Sequence, residues 1–283
     1  MEKVKLAILP EVIKQRPSDS YKGKYGRLLL IGGSKNYGGA VIMATEGALN
    51  SGAGLISVAT DLFNATSLHT RNPEAMFLDW DNQEKLSQMI PTMDVVICGM
   101  GLDTNDFARK VLLTVKKNIT SKQTLVLDAS ALDLIGQEHD LLPEDAGKII
   151  FTPHQMEWQR LSGIKIADQN DKDNLAALNK LVPKKNAYLV LKSNHTKIYD
   201  QAGKIMINPI GNPGMATGGM GDTLAGIIGS FCGQFGTSLK TISAAVYLHS
   251  LAGDEIYQNN YFVRPTHLSA LLPKLMKKYG EKD

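Results

Sequence analysis

Only two cysteines, Cys98 and Cys232, occur in the 283 residues of this chain. Two thiols give no disulfide framework, and a reducing compartment suits them. No apolar run reaches the length of a membrane-spanning helix. Residues 1–10 mix acidic and basic side chains without a long apolar stretch, so they do not read as a signal peptide. These features lead to the expectation of a cytoplasmic protein. An excess of one charge is also lacking. Lys and Arg number 31 against 28 Asp and Glu, a net charge of +3. So small a surplus argues against a nucleic-acid or membrane-surface partner. There is no Pro/Ser-rich linker and no internal repeat. The expectation is one domain over residues 1–283, with residues 1–21 as a lead-in.

What the chain does have is glycine, 26 in all, densest in residues 211–226. There it reads Gly-Asn-Pro-Gly-Met-Ala-Thr-Gly-Gly-Met-Gly-Asp-Thr-Leu-Ala-Gly. This stretch follows a strand-like run at residues 204–208 and leads into an apolar, helix-like run at 224–231. A glycine-rich turn that opens a helix points several free backbone N–H groups one way, and the helix dipole adds to them. Gly218, Gly219, Met220 and Gly221 form the expected anion hole. Asp222 follows at the helix entrance. A carboxylate is out of place where anions are only bound. It has a use if it takes the proton of a hydroxyl that attacks a phosphoryl group. The competing reading of Asp222 is a helix-capping residue.

A second glycine turn, residues 32–39, joins the strand-like Arg27–Ile31 to a helix-like run at 40–51. Strand, glycine turn and helix make the ligand-binding corner of an open α/β sheet. The glycine spacing matches neither the dinucleotide fingerprint nor the Walker phosphate loop. Further apolar strands are expected at residues 55–59, 94–98, 123–127 and 148–151. Residues 187–191 and 196–199 read as a hairpin. Helical periodicity marks residues 239–257 and the stretch after Pro265, before a lysine-rich tail. Residues 71–76 read as a loop, and residues 22–26 as a solvated edge. The alternation predicts an α/β fold, three-layer α/β/α around a largely parallel sheet.

Several polar residues sit just past strand ends. Gly99 and Gly101 would let a ligand approach the backbone. Asp128 could orient water around Mg²⁺ or cap the helix that follows. His154 could hydrogen-bond a ligand. With Glu157 it forms an i, i+3 pair, but no third ligand has metal-site spacing, so zinc is not expected. Lys192 could meet phosphate charge or be an exposed turn residue.

The glycine stretch with Asp222, Thr-Pro-His-x-x-Glu at residues 152–157, and Lys192 with Thr196 resemble the signature of the ADP/ATP-dependent NAD(P)H-hydrate dehydratases. From about Lys22 onward the chain can be laid against that family. The resemblance implies a ribokinase-like fold and repair of hydrated NADH and NADPH. It implies hydrated-dinucleotide contacts at Ala40, Gly101, His154 and Asp222. Adenine-nucleotide contacts would fall at Lys192, Ser193, Asn194, His195, Thr196 and Gly221. It also implies Mg²⁺, ADP rather than ATP as co-substrate, a homotetramer, and an NAD(P)HX epimerase as functional partner. Met100, Ser130 and Ser193 depart from the family pattern at positions usually held by Pro, Asp and Gly. Two other readings are a vitamin-alcohol kinase of the same superfamily and a non-catalytic nucleotide sensor.

Overall fold

A computed structural model describes residues 1–184 and 186–280. The end of the lysine-rich tail, residues 281–283, lies outside the described residues. The strands are β1 Glu2–Lys3, β2 Arg27–Ile31, β3 Leu55–Thr60, β4 Met76–Asp79, β5 Val95–Cys98, β6 Thr124–Leu127, β7 Lys148–Phe151, β8 Ala187–Leu191, β9 Lys197–Asp200 and β10 Ile205–Ile207. The helices are α1 Ile8–Val12, α2 Gly38–Asn50, α3 Ala65–Arg71, α4 Gln83–Met89, α5 Asp106–Asn118, α6 Ala129–Gln137, α7 Gln155–Ser162, α8 Asp171–Leu181, α9 Met220–Phe235, α10 Leu239–Tyr257 and α11 Pro265–Tyr279.

The strands form a single sheet in the order β1-β10-β9-β8-β7-β6-β5-β2-β3-β4. Only β9 runs against its neighbours, as the predicted hairpin requires. Parallel strands covered on both faces need apolar side chains on both, which explains runs such as Leu-Leu-Leu-Ile in β2. Alternation divides them between two cores. Leu28, Leu30, Val95, Ile97 and Val126 face α2, α9, α10 and α11. Leu29, Ile31, Val96, Cys98 and Leu127 face α4 to α8. This is the expected three-layer α/β/α fold. Both cysteines are free and buried, and burial pushes their thiols up to about 12.

Two strands escaped the sequence reading. The lead-in supplies β1, which pairs in parallel with β10. Residues 76–79 form β4 on the far edge, so the expected loop at 71–76 is shorter than predicted: Arg71 ends α3 and Met76 begins the strand. Residues 22–25, expected as a solvated edge, form a 3₁₀ turn. Arg71 pairs with Glu46 at 2.9 Å. No described helix is long and apolar enough to cross a membrane.

Strand order reverses between β2 and β5, and a crevice opens at the carboxyl ends of such a pair. The glycine turns meet there. Gly33 N–H donates to the Met100 carbonyl at 2.9 Å, and Ser34 N–H to the Gly101 carbonyl at 2.7 Å. A side chain at Gly32 would strike the Met100 carbonyl, and one at Gly99 the Asp128 carbonyl. On the helical side α2 and α9 cross on glycine, with Gly226 against the Ala44 carbonyl and Gly47 against that of Thr223. That close crossing sets where the α9 N-terminus stands.

Candidate active site

The glycine stretch does open a helix. Gly219 is the N-cap of α9, with φ 91°, and Asp222 lies in the first turn. Three neighbouring strands bring their carboxyl-end residues beside it: Asp128 after β6, His154 and Glu157 after β7, and Lys192 after β8. His154 and Lys192 form a parallel bridge that extends the β7–β8 pairing by one rung.

Lys192 is the hub. Its Nζ lies 2.8 Å from Asp128 Oδ1 and 4.0 Å from Glu157 Oε2. It also stands where a Cβ on Gly221 would come within 3.2 Å, at the mouth of α9. Burial alone would lower the Lys192 ammonium, but Asp128 and then Glu157 outweigh it and hold its pKa above the ordinary value. Asp128 occupies the N-cap position of α6 without capping it. Its Oδ1 accepts from Lys192 and, at 2.7 Å, from Thr152 Oγ1. The capping alternative at Asp128 therefore gives way to an ion pair. The next residue, Ala129, has φ 46°, an unusual value for a residue with a side chain.

Burial raises the Asp222 carboxyl to about 6, Asp128 adds to the rise, and Lys192 opposes it. Burial likewise raises Glu157 to about 7, with Lys192 opposing and Asp128 adding. Three carboxylates thus share one ammonium. His154 caps α7: its Nδ1 accepts from the N–H groups of Met156 and Glu157 at 3.1 and 3.2 Å. The Glu157 carboxylate accepts from His154 N–H at 2.7 Å, completing a capping box. With Nδ1 spent as acceptor, the neutral ring carries its proton on Nε2, 3.4 Å from Glu157 Oε1. Burial, followed by Lys192 and Arg160, lowers the pKa of this histidine.

One cleft of about 730 Å³ gathers His154, Lys192, Ser193, Asn194, Thr196, Met220 and Gly221. Gly218, Gly219 and Asp222 flank them in the chain but do not line it, and His195 is also outside the lining. Ser193 Oγ donates to the His195 carbonyl at 2.9 Å, so this departure from glycine closes the turn on itself. Ala40 and Gly101 come together elsewhere, at the β2–β5 crevice. A Cβ on Gly101, whose φ is 65°, would be 3.0 Å from that of Ala40. Met100 is fully buried, so its side chain packs in the core while its carbonyl ties down Gly33.

The sequence reading missed the wall of this cleft supplied by α10. Val246, His249 and Ser250 line it, together with Asn208 and Ile210 after β10. The available signal was the polar pair His249-Ser250 inside the otherwise apolar run 244–252. Also missed was the ion-pair network, since Asp128 and Lys192 were weighed singly.

Fold and site together place the chain among ribokinase-like proteins. A solved structure of a ribokinase-like superfamily protein from Enterococcus faecalis V583 superposes with TM-score 0.95 at 46% identity, covering 99% of this chain and 97% of that one. The family model described as NAD(P)H-hydrate dehydratase matches residues 28–274, and the chain belongs to that family. An ADP-dependent (S)-NAD(P)H-hydrate dehydratase of E. faecalis is 48% identical over 97% of this chain and 92% of its own length. A Bacillus subtilis ADP/ATP-dependent NAD(P)H-hydrate dehydratase, co-crystallised with ATP and Mg²⁺, superposes with TM-score 0.84 at 26% identity over 97% of each chain.

Proposed function

We propose that this protein is an ADP-dependent (S)-NAD(P)H-hydrate dehydratase, a hydro-lyase acting as one domain over residues 1–283 with residues 1–21 as its lead-in. The observation that carries the reading is Asp222, a carboxylate raised to about 6 at a glycine-rich helix N-terminus beside Lys192. Near neutrality such a group is ionised yet basic enough to take a proton. Family membership supports the substrate class, and the E. faecalis relative supports ADP.

In this reading the ring hydroxyl of the hydrated nicotinamide attacks the terminal phosphoryl of ADP, the bridging P–O bond breaks so that AMP leaves with the bonding electrons, and Asp222 takes the hydroxyl proton. The N–H groups of Gly218, Gly219 and Gly221, with that of Met220 shared with the Thr217 carbonyl 3.4 Å away, hold the charge that develops. The new phosphate ester is a far better leaving group than hydroxide. Phosphate departs with the bonding electrons, pushed by the ring nitrogen. Loss of a proton from the adjacent ring carbon restores the double bond of NADH or NADPH.

Lys192, Ser193, Asn194, His195, Thr196 and Gly221 are assigned to the nucleotide. Ala40, Gly101, His154 and Asp222 are assigned to the hydrated dinucleotide. Among the described residues no group of three or more His, Cys, Asp or Glu could hold a metal ion. Mg²⁺ is proposed as a companion of the nucleotide, taking its ligands from phosphates, waters and one or two carboxylates. Asp128 is the carboxylate that would orient its water, and its chemistry would be neutralisation of phosphate charge. A cytoplasmic homotetramer working alongside an NAD(P)HX epimerase completes the proposal.

The test mixes protein, hydrated NADH, Mg²⁺ and either ADP or ATP, and follows recovery of absorbance at about 340 nm, the band of reduced nicotinamide. Nucleotide-dependent recovery that Asp222→Ala abolishes is the expected result. A stable phosphorylated product with no recovery would return the assignment to a small-molecule kinase.

A further inference from the structure

His249 lies in α10 on the wall of the 730 Å³ cleft and is only 5% exposed. Its Nε2 has no hydrogen-bond partner. Burial lowers this imidazole to about 4, with the Met220 backbone opposing and Lys192 helping. The ring is therefore neutral near pH 7, and the unpartnered Nε2 is free to take the unprotonated form and present a lone pair. A buried acceptor left without a donor is costly to the fold. Asn208, 1% exposed, lines the same cleft with its Oδ1 also unpaired. Its amide donates to Ser250 Oγ at 2.8 Å and to the Ile210 carbonyl at 3.1 Å. Ser250 adjoins His249, so the two unpaired acceptors belong to one wall.

The occupant must bring donors to this wall. Phosphate oxygens only accept, and protonating His249 to meet them would work against both burial and Lys192. The nucleoside half of a nucleotide does carry donors: the ribose hydroxyls and, in adenine, the exocyclic amino group. With Lys192 and Gly221 at the phosphate end of the cleft, the nucleoside is the part left to meet α10.

We infer that His249, with Asn208 as second acceptor on the same wall, is a specificity-determining residue that accepts a hydrogen bond from the nucleoside half of the bound nucleotide. This rests on the proposed use of an adenine nucleotide. One chemistry, a donor to Nε2, has two sources, a ribose hydroxyl or the 6-amino group. Analogues separate them.

The experiment measures binding of ADP, 2′-deoxy-ADP, 3′-deoxy-ADP and inosine diphosphate by calorimetry, with wild type, His249→Leu and His249→Gln. Loss of one such hydrogen bond should weaken ADP binding to the leucine variant about tenfold. The analogue that lacks the donor should bind wild type about as weakly, with no further loss in the variant. Glutamine, which keeps an acceptor, should recover part of the affinity. The KM for hydrated dinucleotide should stay unchanged. A deoxy analogue behaving this way assigns the ribose, and the inosine nucleotide assigns the amino group. Penalties undiminished in His249→Leu for every analogue overturn the inference. Because a buried leucine could impair folding, the imidazole ¹⁵N resonances of wild type are followed on adding ADP. A shift of the His249 Nε2 signal toward its hydrogen-bonded position supports the inference, and an unmoved signal overturns it. Wild type that binds no ADP sinks the proposed function and this inference together. Wild type that binds ADP with His249 indifferent sinks this inference alone.

Discussion

Lys192 Nζ lies 2.8 Å from Asp128 Oδ1, and the two side chains are only 20% and 2% exposed. They come from the ends of β8 and β6, with β7 between them. A buried ammonium stripped of its main partner is expensive, more so than removing the pair together. Asp128→Ala should therefore destabilise the fold by about 3 kcal/mol. Asp128→Ala with Lys192→Met should cost less than the two single changes added. Urea denaturation of the four proteins measures both expectations. Strict additivity would show that the pair is not coupled.

The same hub predicts opposite shifts in the pH profile. Lys192 lowers the Asp222 carboxyl and Asp128 raises it, around a value of about 6. The acidic limb of kcat/KM for the free enzyme should fall near that value, because the proton acceptor must be ionised. Lys192→Met should move the limb to higher pH and Asp128→Asn to lower pH. Both profiles are read on residual activity. Limbs that move the same way would remove Asp222 as the titrating group.

Asp222→Asn separates catalysis from stability. Loss of the proton acceptor should lower kcat by about 10²- to 10⁴-fold. Stability should move the other way. The folded-state carboxyl is raised to about 6, above the ordinary aspartate value of 3.8. Burial thus favours the protonated form, and that advantage is full below the unfolded pKa and lost as pH rises through the folded one. Above about pH 6 the ionised Asp222 weakens the wild-type fold, so the asparagine variant should be the more stable protein at pH 8 and gain less at pH 4. Denaturation midpoints at the two pH values decide it.

Legibility in the sequence followed burial. Lys148–Phe151 and Ala187–Leu191 stand where apolar runs predicted them, because a central parallel strand must be apolar on both faces. The edge strand Met76–Asp79 buries only Leu78, and Met76 is 48% exposed, so no such run marks it. Glu2–Lys3 is a strand only through its pairing with β10, a contact no local pattern encodes. In the site, glycine spacing and Asp222 could be read directly. That Asp128 reaches Lys192 depends on β6 and β8 flanking β7, which is a property of sheet order. His249 carried no motif at all, and its unpaired nitrogen is visible only in three dimensions.

Two glycines of the α9 region should respond in opposite ways. A Cβ at Gly226 would lie 1.9 Å from the Ala44 carbonyl oxygen, whereas nothing stands within 4 Å of one at Gly218. Gly226→Ala forces α2 and α9 apart and should cost about 1–3 kcal/mol, as overpacking does. Gly218→Ala should leave the melting temperature close to that of wild type. If its N–H belongs to the anion hole, the methyl crowds the phosphate and nucleotide binding should weaken. Normal nucleotide affinity in Gly218→Ala would take that residue out of the hole.

His154 combines two duties, and two substitutions can part them. Its Nδ1 caps α7, while its Nε2 proton remains for Glu157 or for a ligand in the cleft. Asparagine is a strong N-cap whose side-chain oxygen can replace Nδ1, but it is too short to replace Nε2. Alanine replaces neither. His154→Ala should therefore lose about 1 kcal/mol of stability and His154→Asn much less. If the ring also touches the hydrated dinucleotide, both variants should show a raised KM for that substrate despite their different stabilities. A KM raised only in the alanine variant would make His154 a cap and nothing more, since the defect would then follow helix stability. Glu157 supplies an internal control. Its carboxylate accepts from the His154 backbone N–H, which asparagine retains, so the capping box and the Glu157–Lys192 approach should survive in that variant.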